Sequence, residues 1–147
     1  MTGVYPVFKN LFKIGKAGRS SAEEDMVIIK EMESFSVSLD STMEDWSPFE
    51  AEGWLNHLVT GKGLTISLSG KRCVGDPGND YVASLAWKTG QECDSKFLWQ
   101  FPDGAKLEFD CVVNVTNPGG GDTTAVAALE VDILSHGKPV YTAASAA

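Results

Sequence analysis

The stretch GLTISLSGK, residues 63–71, alternates apolar and small side chains with a period of two. Leu64, Ile66 and Leu68 occupy the even positions, and threonine or serine stands at each odd position between and after them. This period is typical of a β-strand that has one face in a core and the other face outside it. The stretch therefore predicts a half-buried strand with a row of small hydroxyls on its outer face.

The same alternation recurs elsewhere and predicts further strands over 34–40, 96–101, 105–116 and 123–134. The turn residues Pro102, Asp103 and Gly104 separate the second and third of these strands, and a glycine-rich loop at 117–122 separates the third from the fourth. Short turns of this kind join antiparallel neighbours. The second half of the chain is therefore predicted to form two successive β-hairpins.

One short helix is predicted over 79–89. Cap and turn residues at 76–80 precede an apolar face that includes Val82 and Leu85, and Gly90 ends the pattern. So short a helix is not stable alone and must pack on a sheet. The predicted fold class is mainly β: a two-sheet antiparallel β-sandwich or flattened barrel with one short flanking α-helix and extended N- and C-terminal arms.

The 147 residues, of which 43% are apolar, suit one domain with one core. Segments that fit this core poorly are expected to contact partner molecules, because exposed apolar surface needs cover. The predicted subdivisions are an N-terminal arm over 1–25, a long loop over 41–59, the helix over 79–89 and a C-terminal tail over 139–147.

Charge and composition exclude several classes of protein. The chain has 12 basic and 20 acidic residues, a net charge of -8 that disfavours binding to a phosphate backbone. No apolar run reaches the ~18 residues of a membrane-spanning helix, and residues 1–15 lack the pattern of an export signal. Cys73, Cys93 and Cys111 form no CxxC pair, so reduced thiols are expected in a protein made in the cytoplasm.

No catalytic or cofactor motif stands out, and we expect no enzyme activity, no cofactor and no metal. His57 and His136 lie far apart without ligand-spaced partners. There is no G-x-S-x-G motif, and the glycines at 119–121 lack the Lys-Ser or Lys-Thr that a phosphate-binding loop requires. Each of these features is better explained as a structural or surface element.

A second interpretation comes from the tryptophans. Trp46 and Trp54 lie close to paired carboxylates, which in a glycosidase act as acid and base. Nothing in the sequence sets the separation of those carboxylates, and most lie on predicted solvated faces. The same tryptophans could form a platform on which a sugar stacks. Trp87 in the predicted helix and Trp99 on an apolar strand face are expected in the core instead. The alternative function is therefore a soluble β-sandwich module that binds carbohydrate or another ligand.

Two adjacent stretches, 61–72 and 75–84, resemble the major tail tube proteins of bacteriophages. The first reads GKGLTISLSGKR, and the second contains the sequence GNDYVAS. The preceding Gly53-Trp54 and the later strand at 105–115 also resemble that family. The resemblance extends over about residues 28–135, and it identifies a tail component of a long-tailed phage or a phage-derived particle.

The resemblance implies a structural virion protein without a catalytic site. In that family, six copies form a ring, rings stack into a hollow tube, and strands of all copies close a shared barrel around the channel through which DNA passes. The implied partners are other copies of the chain, a tape measure protein, a tail terminator, baseplate or tail-tip proteins and, in a contractile tail, a sheath protein. DNA would pass without specific binding, no membrane is involved, and assembly would take place in the host cytoplasm.

Within this interpretation, two groups of residues receive roles. Small or acidic residues at alternating strand positions would line the channel as a smooth, uncharged-to-negative wall. The loop over 41–59 would be an inter-ring connection, and exposed apolar residues in it and in the N-terminal arm would anchor neighbouring rings and subunits. The predicted channel-lining residues are Ser36, Ser38, Asp40, Glu44, Thr65, Ser67 and Ser69. The predicted contact residues are Val7, Phe8, Phe12, Trp46, Phe49 and Trp54.

Overall fold

The computed structural model describes residues 3–144. This part of the chain has one short helix and eight strands, all of whose pairings are antiparallel. The prediction of a mainly β fold with one flanking helix is therefore confirmed. The elements are β1 Leu11–Gly15, β2 Met26–Ile28, β3 Met32–Trp46, β4 Asn56–Lys71, α1 Pro77–Ser84, β5 Asp94–Gln100, β6 Lys106–Asn117, β7 Ala128–Ser135 and β8 Val140–Thr142.

The strands form one hydrogen-bonded sheet in the order β2-β1-β5-β6-β7-β4-β3, with β8 also paired to β6. Two sheets were predicted from the sequence, whereas all of these strands belong to one. A period of two does not reveal whether neighbouring strands share one sheet, so the alternation could not distinguish the two arrangements. The sheet curls, since residues 29–31 connect strands from its two ends. Phe12 of β1 and Phe35 of β3 accordingly lie with ring centroids 4.8 Å apart. The result is an open, barrel-like sheet.

The core fills the inside of this curled sheet with the apolar residues that alternate along its strands. Ile66, Phe97, Val131 and Ile133 are almost completely buried. Burying each such side chain contributes roughly 1.5–3 kcal/mol relative to leaving it in water. The alternation read from the sequence therefore identifies the core-facing positions of the central strands correctly.

Helix α1 covers part of the core and ends earlier than predicted. The Asp76 carboxylate caps its start by accepting the N–H of Asn79 at 3.0 Å. A Cβ at Gly78 would collide with the carbonyl oxygen of Ile28, so this glycine allows the helix to pack closely against β2. A 3-10 turn, Leu85–Trp87, replaces the predicted last helical turn.

Trp87 was expected in the core, and this expectation is wrong. Its side chain is 82% exposed. The reason is the change from α-helical to 3-10 geometry at Leu85, which has about three residues per turn. Trp87 therefore no longer continues the buried face formed by Val82 and Ala83.

Three of the predicted segment boundaries need correction. The predicted loop over 41–59 is largely a β-hairpin, because β3 continues to Trp46 and β4 begins at Asn56. A register shift leaves Thr60 unpaired, which breaks the period of two that would have revealed these strands. The predicted arm over 1–25 contains β1, and the predicted tail over 139–147 contains β8. Residues 1–2 and 145–147 of these segments lie outside the described range.

Candidate assembly surfaces

All seven predicted channel-lining residues lie in the paired strands β3 and β4. Ser36 pairs with Ser67, and Ser38 pairs with Thr65. Residues opposite each other in an antiparallel pair point to the same side of the sheet, so these hydroxyls form one surface. We call it the polar face. Asp40 and Ser69 continue it along their strands, and Glu44 extends it into the hairpin.

Strand β7 adds carboxylates to the polar face that the sequence analysis missed. The Ser67 hydroxyl donates to Asp132 Oδ1 at 2.7 Å, and the Ser69 hydroxyl donates to Glu130 Oε1 at 3.4 Å. Asn114 of β6 stands opposite Asp132 and extends the surface by one more strand. Glu130 and Asp132 occupy outward positions of the strand predicted over 123–134, so the alternation already indicated that they face away from the core. Only the pairing of β7 with β4, however, places them beside the serines.

The β3–β4 hairpin projects beyond the rest of the sheet. Strand β7 pairs with β4 only from Thr65 onward, so residues 39–46 and 56–64 form a ribbon of two strands. Its outer turn at 47–55, here called the tip, carries Phe49 at 104% and Trp54 at 80% exposure. A ribbon of two strands is marginally stable by itself in water, and this one leaves both of its edges and much apolar surface open.

The inward row of the sheet also continues along the ribbon, where it no longer has a core to face. Leu39 pairs with Leu64, and Met43 pairs with Val59. Leu39, Met43 and Val59 are each about half exposed or more. This side of the ribbon therefore presents apolar surface, interrupted by Ser41 and Lys62, and exposed apolar surface is expected where another molecule covers it.

Of the predicted contact residues, five are exposed and one is not. Val7 and Phe8 are exposed in the N-terminal segment, as Trp46, Phe49 and Trp54 are in the hairpin. Phe12 is only 8% exposed, and its ring packs against those of Phe35, Phe97 and Trp99 in the core. Its assignment as a contact residue is wrong, because β1 joins the sheet beside β5 and turns Phe12 inward.

Among the open strand edges of residues 3–144, two are suited to pairing between copies. Strand β3 pairs only with β4, so its outer edge is free along 15 residues. Strand β5 pairs with β6 only as far as Val112, which leaves residues 113–117 of β6 without a partner on the side away from β7. Free edges present unpaired N–H and C=O groups that can pair with another chain.

No family model and no curated protein matches the chain at a significant level. Among solved structures, a chain from the tail of an empty gene transfer agent particle, refined with C6 symmetry, aligns with a TM-score of 0.76 at 16% identity over 95% of this chain and 100% of that chain. The two share one fold. A chain from the virion of a native gene transfer agent particle aligns at 0.71 with the same identity and coverage.

A third solved structure, the tube-terminating cap of an anti-feeding prophage, aligns with a TM-score of 0.64 at 12% identity over 98% of this chain and 94% of that chain. The gene transfer agent tail fold and this cap fold both match nearly the full length of the chain. The resemblance to phage-type tail proteins is thus confirmed at the level of the fold.

The histidines do not form a site in the described residues. His57 lies in the ribbon, where its Nδ1 is 3.7 Å from Asp45 Oδ1 and both side chains are exposed. The backbone N–H of His136 donates to the carbonyl of Asp110. Residues 3–144 contain no cluster of His, Cys, Asp and Glu suited to a metal ion. None of the helices found in that range has the length and apolar character needed to cross a membrane.

Proposed function

We propose that this chain is the structural subunit of a phage-type tail tube. Copies join side by side into a ring, and rings stack around a channel through which DNA leaves the particle. The observation that carries the proposal is the open outer edge of β3, which runs for 15 residues and continues into the exposed ribbon. So long an edge is a strong template for pairing with another chain.

The second open edge supports closure into a ring. Strands β3, β4, β7 and β6 alternate in direction, so β3 and β6 at the two ends of this group run in opposite directions. Rotation about a ring axis preserves strand direction along that axis. The β3 edge of one copy therefore meets residues 113–117 of the next copy in antiparallel orientation. Head-to-tail contacts of this kind close into rings and pair part of the open edge of each copy.

Six copies per ring is the number that we propose. The gene transfer agent tail with the same fold was refined with C6 symmetry, which supports this choice. Pairing around the axis joins the sheets of all copies into one barrel. The core side of each sheet is occupied by its own apolar residues, so the polar face is the side available to line the channel.

The chemistry of the polar face suits passage of DNA without retention. Its serine and threonine hydroxyls are short and uncharged, and Asp40, Glu44, Glu130 and Asp132 add negative charge. Phosphates bind to lysine and arginine and release counterions in doing so. A wall of hydroxyls and carboxylates provides no such contacts, so duplex DNA slides past it.

The proposed location is the tail of a virion or phage-derived particle, with assembly in the host cytoplasm. Besides other copies of the chain, the proposed partners are a tape measure protein inside the tube, a terminator at one end, baseplate or tail-tip proteins at the other and, in a contractile tail, a sheath. The three aligned solved structures belong to tail particles or a tube cap, which supports this setting.

Electron microscopy of the purified chain tests the proposal. We expect negatively stained samples at increasing protein concentration to contain rings and then hollow tubes of uniform diameter. Sedimentation velocity should show the monomer disappearing over the same range. A chain that stays monomeric at millimolar concentration contradicts the proposal, and sugar binding by such a monomer through Trp46 and Trp54 would favour the carbohydrate-binding alternative.

A further inference from the structure

A cavity of about 480 Å³ lies at the base of the ribbon, where it leaves the sheet. Leu39, Leu64 and Pro139 form apolar parts of its lining, and Lys62 and Lys138 also line it. Both lysines are exposed, and neither has a carboxylate within 4.0 Å among residues 3–144. The cavity thus combines apolar surface with two unpaired positive charges, which fits an occupant that is apolar and acidic.

The tip of the ribbon has this chemistry. Phe49 and Trp54 are among the most exposed aromatic side chains of the described residues, and Glu50 and Glu52 lie beside them in sequence. Neither glutamate has a cationic partner in the part of the chain that the structure describes. An aromatic side chain in an apolar pocket with an opposite charge on each side is a common form of interface anchor.

The exposed apolar segment near the N-terminus does not fit the cavity. Residues 3–9 present Val4 and Phe8, but the only charged residue among them is Lys9. Placing this segment on the cavity would bring a third lysine towards Lys62 and Lys138. Like charges brought together at an interface are unfavourable, so charge selects the tip over the N-terminal segment.

A tip does not reach the cavity of its own chain. Leu39 lines the cavity and Trp46 ends β3, seven strand positions further along. At about 3.3 Å per residue, the tip lies about 23 Å from the cavity along the ribbon. A second copy displaced by about this distance along the strands would place its cavity at the tip. Such a displacement is parallel to the strands, whereas the edge pairing that forms a ring is perpendicular to them.

We infer that the tip of one copy docks into the Lys62/Lys138 cavity of a second copy in the adjacent ring. Phe49 enters the apolar part of the cavity, and Glu50 and Glu52 pair with the two lysines. This inference rests on the proposed tail tube and adds the contact that holds successive rings together. It assigns a role to the tip that is independent of the polar face and of the ring edges.

A charge exchange tests the inference. One variant carries Lys62→Glu and Lys138→Glu, a second carries Glu50→Lys and Glu52→Lys, and a third carries all four changes. We expect each double variant to form rings but to require about tenfold more protein than wild type for tubes, since tenfold corresponds to 1.4 kcal/mol. The fourfold variant restores tube formation because the charges are again opposite. Light scattering measures the threshold concentration, and negative-stain microscopy distinguishes rings from tubes.

Matched controls change the same charges at exposed positions outside the tip and the cavity. They are Lys9→Glu with Lys88→Glu, and Glu24→Lys with Glu92→Lys. The docking is overturned if the double variants behave like these controls, or if the fourfold variant is as impaired as either double variant. If the wild type forms tubes and the charge exchange does not change the threshold concentration, only the docking is refuted. If the wild type forms no assembly, the proposed function is refuted as well.

Discussion

Asn79 is completely buried, and all of its side-chain hydrogen-bonding groups have partners. Its carbonyl accepts from the N–H of Cys73 at 3.0 Å and from Arg72 Nη1 at 2.9 Å. Its amide donates to the backbone carbonyls of Lys30 and Lys71. One side chain therefore connects the start of α1 to the end of β4 and to the link before β3. It lies in the stretch that most resembles tail tube proteins, so that resemblance reflects a structural junction.

Replacing Asn79 with alanine should destabilise the chain strongly. The substitution leaves a backbone N–H and two buried carbonyls without their partner, and we expect a loss of about 3 kcal/mol in the free energy of unfolding. Urea denaturation followed by circular dichroism measures this value. Asn56→Ala, at an exposed position in the ribbon, is the matched control and should change stability by less than about 0.5 kcal/mol. Equal effects of the two substitutions would contradict the assigned role.

Cys111 differs from the other two cysteines in its environment. Burial in the core raises the pKa of its thiol from 9.0 to about 12. Because only the thiolate reacts with iodoacetamide, the folded chain should be alkylated at the half-buried Cys73 and Cys93 and not at Cys111 at pH 8. Urea should make all three react, as mass spectrometry of peptides would show. Rapid labelling of Cys111 in the folded chain would contradict its placement.

The raised pKa of Cys111 also predicts how the stability of the folded chain changes with pH. The folded state favours the neutral thiol, so the stabilisation is fully present below the ordinary pKa of 9.0 and is lost as the pH rises towards 12. The free energy of unfolding of wild type should therefore fall more steeply over this window than that of Cys111→Ala. Parallel pH profiles of the two proteins would exclude a contribution from this thiol.

At the scale of elements, the ribbon is the part of the molecule that the fold does not need. Apart from Leu64 at its base, its apolar residues lie outside the core, and no strand other than its own partner pairs with residues 39–46. Thr42 pairs with Gly61 just before the register shift, so a shorter hairpin can be closed at this pair while the regular register is kept. The ribbon can thus be shortened without changing the pairing of the remaining strands.

Replacing residues 43–60 with an Asn-Gly turn should separate folding from assembly. Asn-Gly favours the two-residue turn that joins antiparallel strands. We expect far-UV circular dichroism and the urea midpoint to stay close to those of wild type, while tubes disappear from electron micrographs. Replacing the glycine-rich loop at 118–121 with another flexible loop of equal length is the control. Normal tubes from the shortened chain would show that the ribbon has no role in assembly.

At the scale of the whole molecule, charge on the polar face should control the passage of DNA. Asp40→Lys with Glu44→Lys places lysines on the proposed channel wall of every copy. We expect tubes of this variant to retain linear duplex DNA at low salt and to release it as salt rises, because lysine–phosphate contacts release counterions. Wild-type tubes should not retain DNA. Sedimentation of tubes with labelled DNA measures the retained fraction.

The control for this experiment carries the same change in charge at Glu24→Lys and Glu92→Lys. Both residues are exposed and lie in 3-10 turns outside the polar face. If the control tubes retain as much DNA as the Asp40 and Glu44 variant, the effect comes from total charge, and the assignment of the polar face to the channel fails.

Much of the fold was predictable from the chain because local alternation reports which side of a strand meets the core. Leu64, Ile66 and Leu68 are buried as their period of two predicts. Thr65 and Ser67, which lie between them, share one face with Ser36 and Ser38 for the same reason. Phe12 and Trp87 were misplaced, since their burial depends on which strand lies alongside β1 and on where α1 changes its geometry.

By itself, the sequence determined the periods of its strands, the caps of its helix and the acidic balance of its surface, because each depends on residues close together in the chain. Only the tertiary structure decided that the strands share one curled sheet, that Glu130 and Asp132 join the serines, and that the ribbon projects from the sheet. These features depend on which strands pair over long separations. The alternation within one strand does not specify which other strand pairs with it. The open edges of β3 and β6 therefore became visible only in the folded molecule.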